Sequence, residues 1–315
     1  MSAALPIHYE PKLVEEAVFQ AGYTSAPAQL NIARDRLYEI ADGEQRERAF
    51  QALYRTWFAK LGLSLTIEKA LQEQPLIAES VGACFVVYAA HAKQEGAELY
   101  VKDERRTLRL ALRPAALRNA DALQSFLRKE LFHIADMLDP AFGYEPTLPK
   151  SPDGPTYDNF ITHRYRALWN ITITGRIARR GWLAPTAREE ALNEFIAAFP
   201  MLQENGEKLF SRFYDSDHPR HAELTPLAFD PAATVDGSRP HSAQATHCPL
   251  CKFPTYAFEP APQNLGADTQ AEITADFPDW SPEKGLCNQC ADLYRGRRMS
   301  LAALKMLPGW HSPTV

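Results

Sequence analysis

A chain of 315 residues with 45% hydrophobic content is long enough to bury a full core and to divide into two domains. Its net charge of -5 argues against nucleic acid as a partner, because counterion-driven binding needs a basic surface; a protein partner is expected instead. The start, Met1 to Tyr9, has no basic segment leading into an apolar run, and no stretch reaches the ~18 uninterrupted apolar residues of a membrane span, so neither export nor a membrane anchor is expected.

Helices are expected over Lys12 to Gln20 and Ala28 to Ile40, with Ser25-Ala26-Pro27 between them. Phe50, Leu53, Tyr54, Trp57 and Leu61 recur at helical spacing between Glu44 and Leu61, and Gly62 is a natural helix end. The texture then changes. Ala83 to Tyr88 is a continuous apolar run, and Thr107 to Arg113 alternates Leu108, Leu110 and Leu112 with polar or small residues, which predicts a small sheet. Asn119 and Asp121 open a central helix from Ala120 to Leu138, closed by Asp139-Pro140. A third long helix is expected from Asp158 to Arg180, stopping at Gly181, and a fourth from Thr186 to Phe199. Arg176, Arg179 and Arg180 near the end of the third suit the helix dipole. From Tyr214 to His247 periodicity is lost among Asp, Pro, Ser and His, including Asp230-Pro231 and Arg239-Pro240, which reads as a linker. The expected division is therefore 1–213, a linker over 214–247, and a second domain over 248–315.

Four of the five cysteines form two short pairs, Cys248-Pro-Leu-Cys251 and Cys287-Asn-Gln-Cys290, and each pair can turn two thiolates toward one tetrahedral metal. They predict one structural zinc, with iron as the other metal this set can hold. A dithiol redox centre is the competing reading, although one pair would suffice for it. Metal-bound thiolates, and Cys84 within an apolar run, fit a reducing compartment, the cytoplasm. Thirty-five residues separate Cys251 from Cys287, so a hairpin elaborated by the acidic, Pro-rich insert Glu259 to Pro282 is expected. His247 adjoins the first pair as a potential outer donor. Arg295, Arg297 and Arg298 lead into an apolar helix over Met299 to Met306. The Cys-Pro-x-Cys knuckle resembles the zinc-ribbon and rubredoxin-like class, which implies a small metal-held fold.

On the central helix, Leu123, Phe126, Leu127, Leu131, Ile134, Met137 and Leu138 form one apolar stripe, and Glu130 falls inside it with His133 at its edge. A carboxylate aimed at a core has to be paired, metal-bound or protonated. One reading pairs Glu130 with His133 at i,i+3, with an arginine from Arg164, Arg166 or Arg176. The Lys129-Glu130-Leu-Phe-His133 run, with helices and a small sheet ahead of it, also resembles the zincin metallopeptidases and their HExxH helix. That resemblance implies Glu130 as the catalytic base and His133 as a metal ligand, with a third ligand from Asp158, His163 or Glu194. Lys129 departs from it, since an ammonium has no lone pair to give a metal.

The expected fold class is α+β: a mostly helical, zincin-like N-terminal domain with a small sheet, followed by a C-terminal zinc ribbon. The expected function is a zinc-binding, non-catalytic interaction or assembly protein carrying a degenerate metallopeptidase-like domain. The alternative is a metal-dependent hydrolase or peptidase using Glu130 and His133.

Overall fold

The computed structural model describes residues 5–25, 27–150, 155–199, 202, 205–231, 246–252, 254–255, 258–259 and 261–305. The class is α+β, with helices predominating around one four-stranded sheet. Two compact units share the chain: the first takes in Met1–Pro146, Trp169–Asn193 and Phe210–Glu223, the second Thr147–Leu168, Glu194–Leu209 and Leu224–Val315. Each unit is thus assembled from separated stretches.

In the first unit, strands β1 (Ile7–Tyr9), β2 (Ala83–Tyr88), β3 (Gly96–Lys102) and β4 (Arg105–Leu112) are ordered β1-β2-β4-β3. β2 runs parallel to both β1 and β4, and β3 closes the sheet as an antiparallel edge. The register sets Ile7, Cys84, Leu108 and Leu99 in one row, and all four join the main core. The adjacent row, His8, Phe85, Arg109 and Glu98, points the other way, as the period of two demands. Phe85 is largely open there and stacks on His8 at 5.0 Å. The β3–β4 hairpin turns on Asp103 and Glu104, both at positive φ (48° and 64°) in a two-residue turn.

Helices α1 (Pro11–Ser25), α2 (Pro27–Asp35), α3 (Gly43–Lys60), α4 (Leu65–Gln72), α5 (Pro75–Ser80) and α6 (Ala120–Leu138) supply the rest of that core. Asp42 caps α3 by accepting from Gln45 N at 2.7 Å, and Gly62 ends it at φ 65°. Asn119 caps α6 through Ala122 N at 3.1 Å. The stripe Leu123, Leu127, Leu131, Ile134 and Leu138 is buried.

Helix α7 (Pro155–Arg179) is the predicted third helix and contributes residues to both units. Its end is a glycine cap: Gly181 takes φ 71°, and Trp182 N bonds back to Ile177 O at 3.2 Å. The β-branched run Ile171–Thr174 stays helical, with Thr172 and Thr174 hydroxyls donating to Trp169 O and Asn170 O. Helix α8 (Ala187–Ala198) is the fourth, and α9 (Gly206–Tyr214) follows.

Part of the stretch read as a linker is helical: α10 (His221–Phe229) lies within it and keeps Pro226 in its interior. Leu224, Leu227 and Ala228 on that helix are buried, so tertiary packing overrides the turn-forming composition. Arg239-Pro240 lies outside the described residues. In the second unit, β5 (Thr246–His247) pairs with β6 (Pro254–Thr255), followed by α11 (Ala267–Asp276) and α12 (Asn288–Lys305). The insert expected to elaborate a hairpin thus contains a helix, and the last helix begins well before Met299. Among the described residues, no helix is long and apolar enough to cross a membrane.

Candidate metal centre

The first cysteine pair sits on the tight turn between β5 and β6. Its chain reversal is visible in Lys252, at φ 62°, whose N–H reaches back to Cys248 O at 2.9 Å. The second pair is placed differently. Cys287 bridges to Phe258, α12 starts at the next residue, and Cys290 lies in its first turn. Ala291 N bonds to Cys287 O at 3.0 Å, which fixes the spacing of the two cysteines at one helical turn. The second pair thus opens α12, a helix expected only from Met299. Its signal was present in Cys287, Ala291 and Tyr294, which recur at i, i+4 and i+7 and are all buried.

These two turns bring the four sulfurs together. Cys248 Sγ lies 3.9 Å from Cys290 Sγ, Cys251 Sγ lies 3.8 Å from Cys287 Sγ, and all four sulfurs fall within 4.8 Å of one another. Zinc–sulfur bonds of about 2.3 Å at tetrahedral angles put ligand sulfurs about 3.8 Å apart, so the donor set and its size fit one such ion. None of the cysteines is in a disulfide. Each close contact joins one pair to the other, which is the pattern of a single four-ligand site.

The backbone favours thiolates here. Cys287 N points at Cys248 Sγ at 3.3 Å, and Cys290 N at Cys287 Sγ at 3.4 Å. For Cys248, burial pushes the thiol up, but the N–H groups of Cys287, Cys251 and Leu250 outweigh it and bring it down to about 7. Burial holds Cys287 and Cys290 above the usual thiol range, and for Cys290 the neighbouring sulfurs add to that. Cys287 and Cys290, crowded against their neighbours, resist ionising until a cation joins them.

A small core surrounds the quartet: Leu250, Leu265, Ile273, Trp280, Leu286, Ala291 and Tyr294 are buried with Cys248 and Cys287. Trp280 Nε1 donates to Gly285 O at 2.8 Å, and Tyr294 donates to Asp276 at 2.7 Å. Arg295 forms ion pairs with Glu259 and Asp292, while the side chains of Arg297 and Arg298 lie outside the described residues. His247 occupies β5 opposite Pro254 and is exposed.

On α6, the residues singled out from sequence have separate partners. Glu130 Oε2 accepts from Ala97 N on the edge strand at 3.1 Å, and burial lifts its carboxyl above the usual range. His133 Nε2 meets Asn170 Oδ1 at 2.9 Å, and its ring stands edge-on to Trp169 at 4.5 Å. Burial pushes this imidazole down to about 4, against smaller opposing effects from Asn170 and Asp136. Lys129 is exposed. Arg176, one of the arginines considered for Glu130, is engaged instead by Asp136, which helical spacing places toward the polar face of α6 but which is buried. His163 and Glu194 are exposed, and with Asp158 they belong to the second unit. Among the described residues, the cysteine quartet alone brings three or more His, Cys, Asp or Glu side chains close enough to hold a metal.

No protein-family model, curated protein or solved structure matches the chain.

Proposed function

We propose that this is a zinc-binding protein that acts by protein interaction or assembly, with Cys248, Cys251, Cys287 and Cys290 closing one structural zinc site. The observation that carries this reading is the four-sulfur cluster itself, whose spacing suits tetrahedral zinc. Four thiolates leave no coordination position for a substrate or an activated water, so the ion's contribution is to folding. The nine buried residues clustered around it are a small core for a stable fold, and a metal staple offsets that deficit. Thiolate ligation also favours a reducing compartment such as the cytoplasm.

The non-catalytic part of the proposal is supported by the way α6 spends its polar groups. Glu130 bonds to a backbone amide and His133 to Asn170, while Lys129 faces solvent. On this reading the likeness to an HExxH helix is residual.

The test is metal content and peptidase activity of the full chain. Elemental analysis should find one zinc per chain, and none in a Cys251→Ser, Cys287→Ser double variant. Metal retained by that variant, or peptide hydrolysis that is lost in Glu130→Gln, would overturn the proposal.

A further inference from the structure

The first unit carries an open cavity of about 240 Å³ between α1, the short turn Arg36–Glu39 and α3. On α3, Glu47, Phe50, Gln51 and Tyr54 fall at i, i+3, i+4 and i+7, so one helix face presents them together. Three rings make the wall. Phe50 meets Tyr38 edge-on at 5.2 Å and stacks with Tyr54 at 6.3 Å. Tyr54 is buried, whereas Tyr38 stands 63% exposed at the mouth.

Two carboxylates share this space. Glu47 is oriented by Gln51 Nε2, which donates to its Oε1 at 3.2 Å, and Glu15 enters from α1. Neither forms an ion pair among the described residues. Burial, then the charges of Glu47 and Glu16, hold the Glu15 carboxyl above its usual range, so the neighbouring acids repel it. Arg55 also lines the cavity, yet it is not among the groups acting on Glu15. Aromatic faces attract cations, and organic ammonium groups most readily use rings and carboxylates together. A small metal ion holds its hydration shell too tightly to use the rings.

We propose that this cavity binds an alkylammonium group, with the charged nitrogen between Glu15 and Glu47 and the alkyl chain along Tyr38, Phe50 and Tyr54. The volume lies below the range of about 300–1,000 Å³ common for drug-sized ligands, which suits a chain of a few carbons. Such a group is carried both by small free amines and by lysine side chains. The site lies within the first unit and is independent of the metal centre.

The test titrates n-butylammonium and its neutral analogue n-butanol into the zinc-loaded full chain by calorimetry, with backbone amide resonances locating the site. Butylammonium should shift the amides of Glu15, Glu47 and Gln51 and bind about tenfold tighter than butanol. Glu47→Gln and Tyr38→Ala should each weaken it several-fold. The Glu15→Gln and Glu47→Gln variants relieve repulsion and should melt no lower than wild type, which separates lost binding from lost folding. Equal binding of butanol, or unchanged binding in both glutamine variants, would overturn the proposal. Nα-acetyl-lysine methylamide distinguishes the sources: tighter binding than butylammonium names a partner's lysine, weaker binding names a free amine, and either ranking upholds the ammonium site.

Discussion

Asp136 and Arg176 form a two-toothed ion pair, with the terminal guanidinium nitrogens 2.7 and 2.6 Å from the two carboxylate oxygens. The pair ties α6 to α7 inside the first unit, and Trp169 Nε1 adds a further bond to Asp136 at 2.6 Å. Both side chains are nearly buried. Removing one partner strands the other's charge, so Arg176→Met should cost about 3–5 kcal/mol in urea unfolding, while the joint change with Asp136→Leu should cost far less. A double-variant cost equal to the sum of the singles would refute this coupling.

Glu130 separates a structural from a catalytic role. Its carboxylate satisfies the Ala97 amide on the exposed edge of the sheet. A glutamine carbonyl can accept the same bond without the cost of burying a charge, so Glu130→Gln should be neutral or slightly stabilising. Glu130→Ala leaves a partly buried N–H without its acceptor and should cost about 1–3 kcal/mol. Equal losses for the two variants in thermal melts would show that the bond contributes nothing.

His133 gives a pH signature whose sign follows from burial. Its folded value, about 4, lies below the ordinary 6.5, so between those values the unfolded chain binds a proton that the folded chain refuses. Stability from this group is complete above about pH 6.5 and lost as pH falls toward 4, by about 3 kcal/mol in all. Raised carboxyl groups at Glu15 and Glu130 act with the opposite sign, and lowered His221 with the same sign. The readout is therefore the difference between wild type and His133→Gln, unfolded in urea at pH 7 and pH 4.5. Parallel losses in both proteins would mean that His133 is not the source.

Gly175 lies where α7 approaches the chain closely: a Cβ there would meet the carbonyl oxygen of Tyr214 at a distance no real contact allows. Gly175→Ala should therefore cost about 3 kcal/mol or more, since the obstacle is backbone and cannot rotate aside. Gly43, at the start of α3, faces open space, and Gly43→Ala should stabilise by about 0.4–1 kcal/mol. Similar melting points for the two variants would contradict this contrast.

Where local chemistry decided the structure, the sequence was legible. Asn119, Gly62 and Gly181 marked helix ends that the structure keeps, and the leucine stripe of α6 is buried as its periodicity implied. Long-range pairing was not legible. Ile7–Tyr9 is too short to show a period and becomes a strand only beside β2, while Gly96–Lys102 is an edge whose exposed Tyr100 and Val101 blur the alternation. At the metal centre, spacing identified the cysteines, but the helix that holds Cys290 depends on packing of Ala291 and Tyr294.

That dependence supplies the last prediction. Cys290 is held by α12 and Cys248 by the β5–β6 turn, 42 residues apart, and the described contact between their sulfurs closes the loop. A zinc ion at the quartet would exchange loop entropy for metal–sulfur bonds, and binding energies of about 10–16 kcal/mol for structural zinc exceed the stability of a core this small. Chelation, or Cys251→Ser, should therefore raise amide hydrogen exchange across 246–252 and 261–294 to nearly unfolded rates. Acidification should do the same, because thiolates must be protonated to release the ion. Full protection of Ile273, Ala291 and Tyr294 amides after chelation would mean that the apolar contacts suffice and that the metal is not structural.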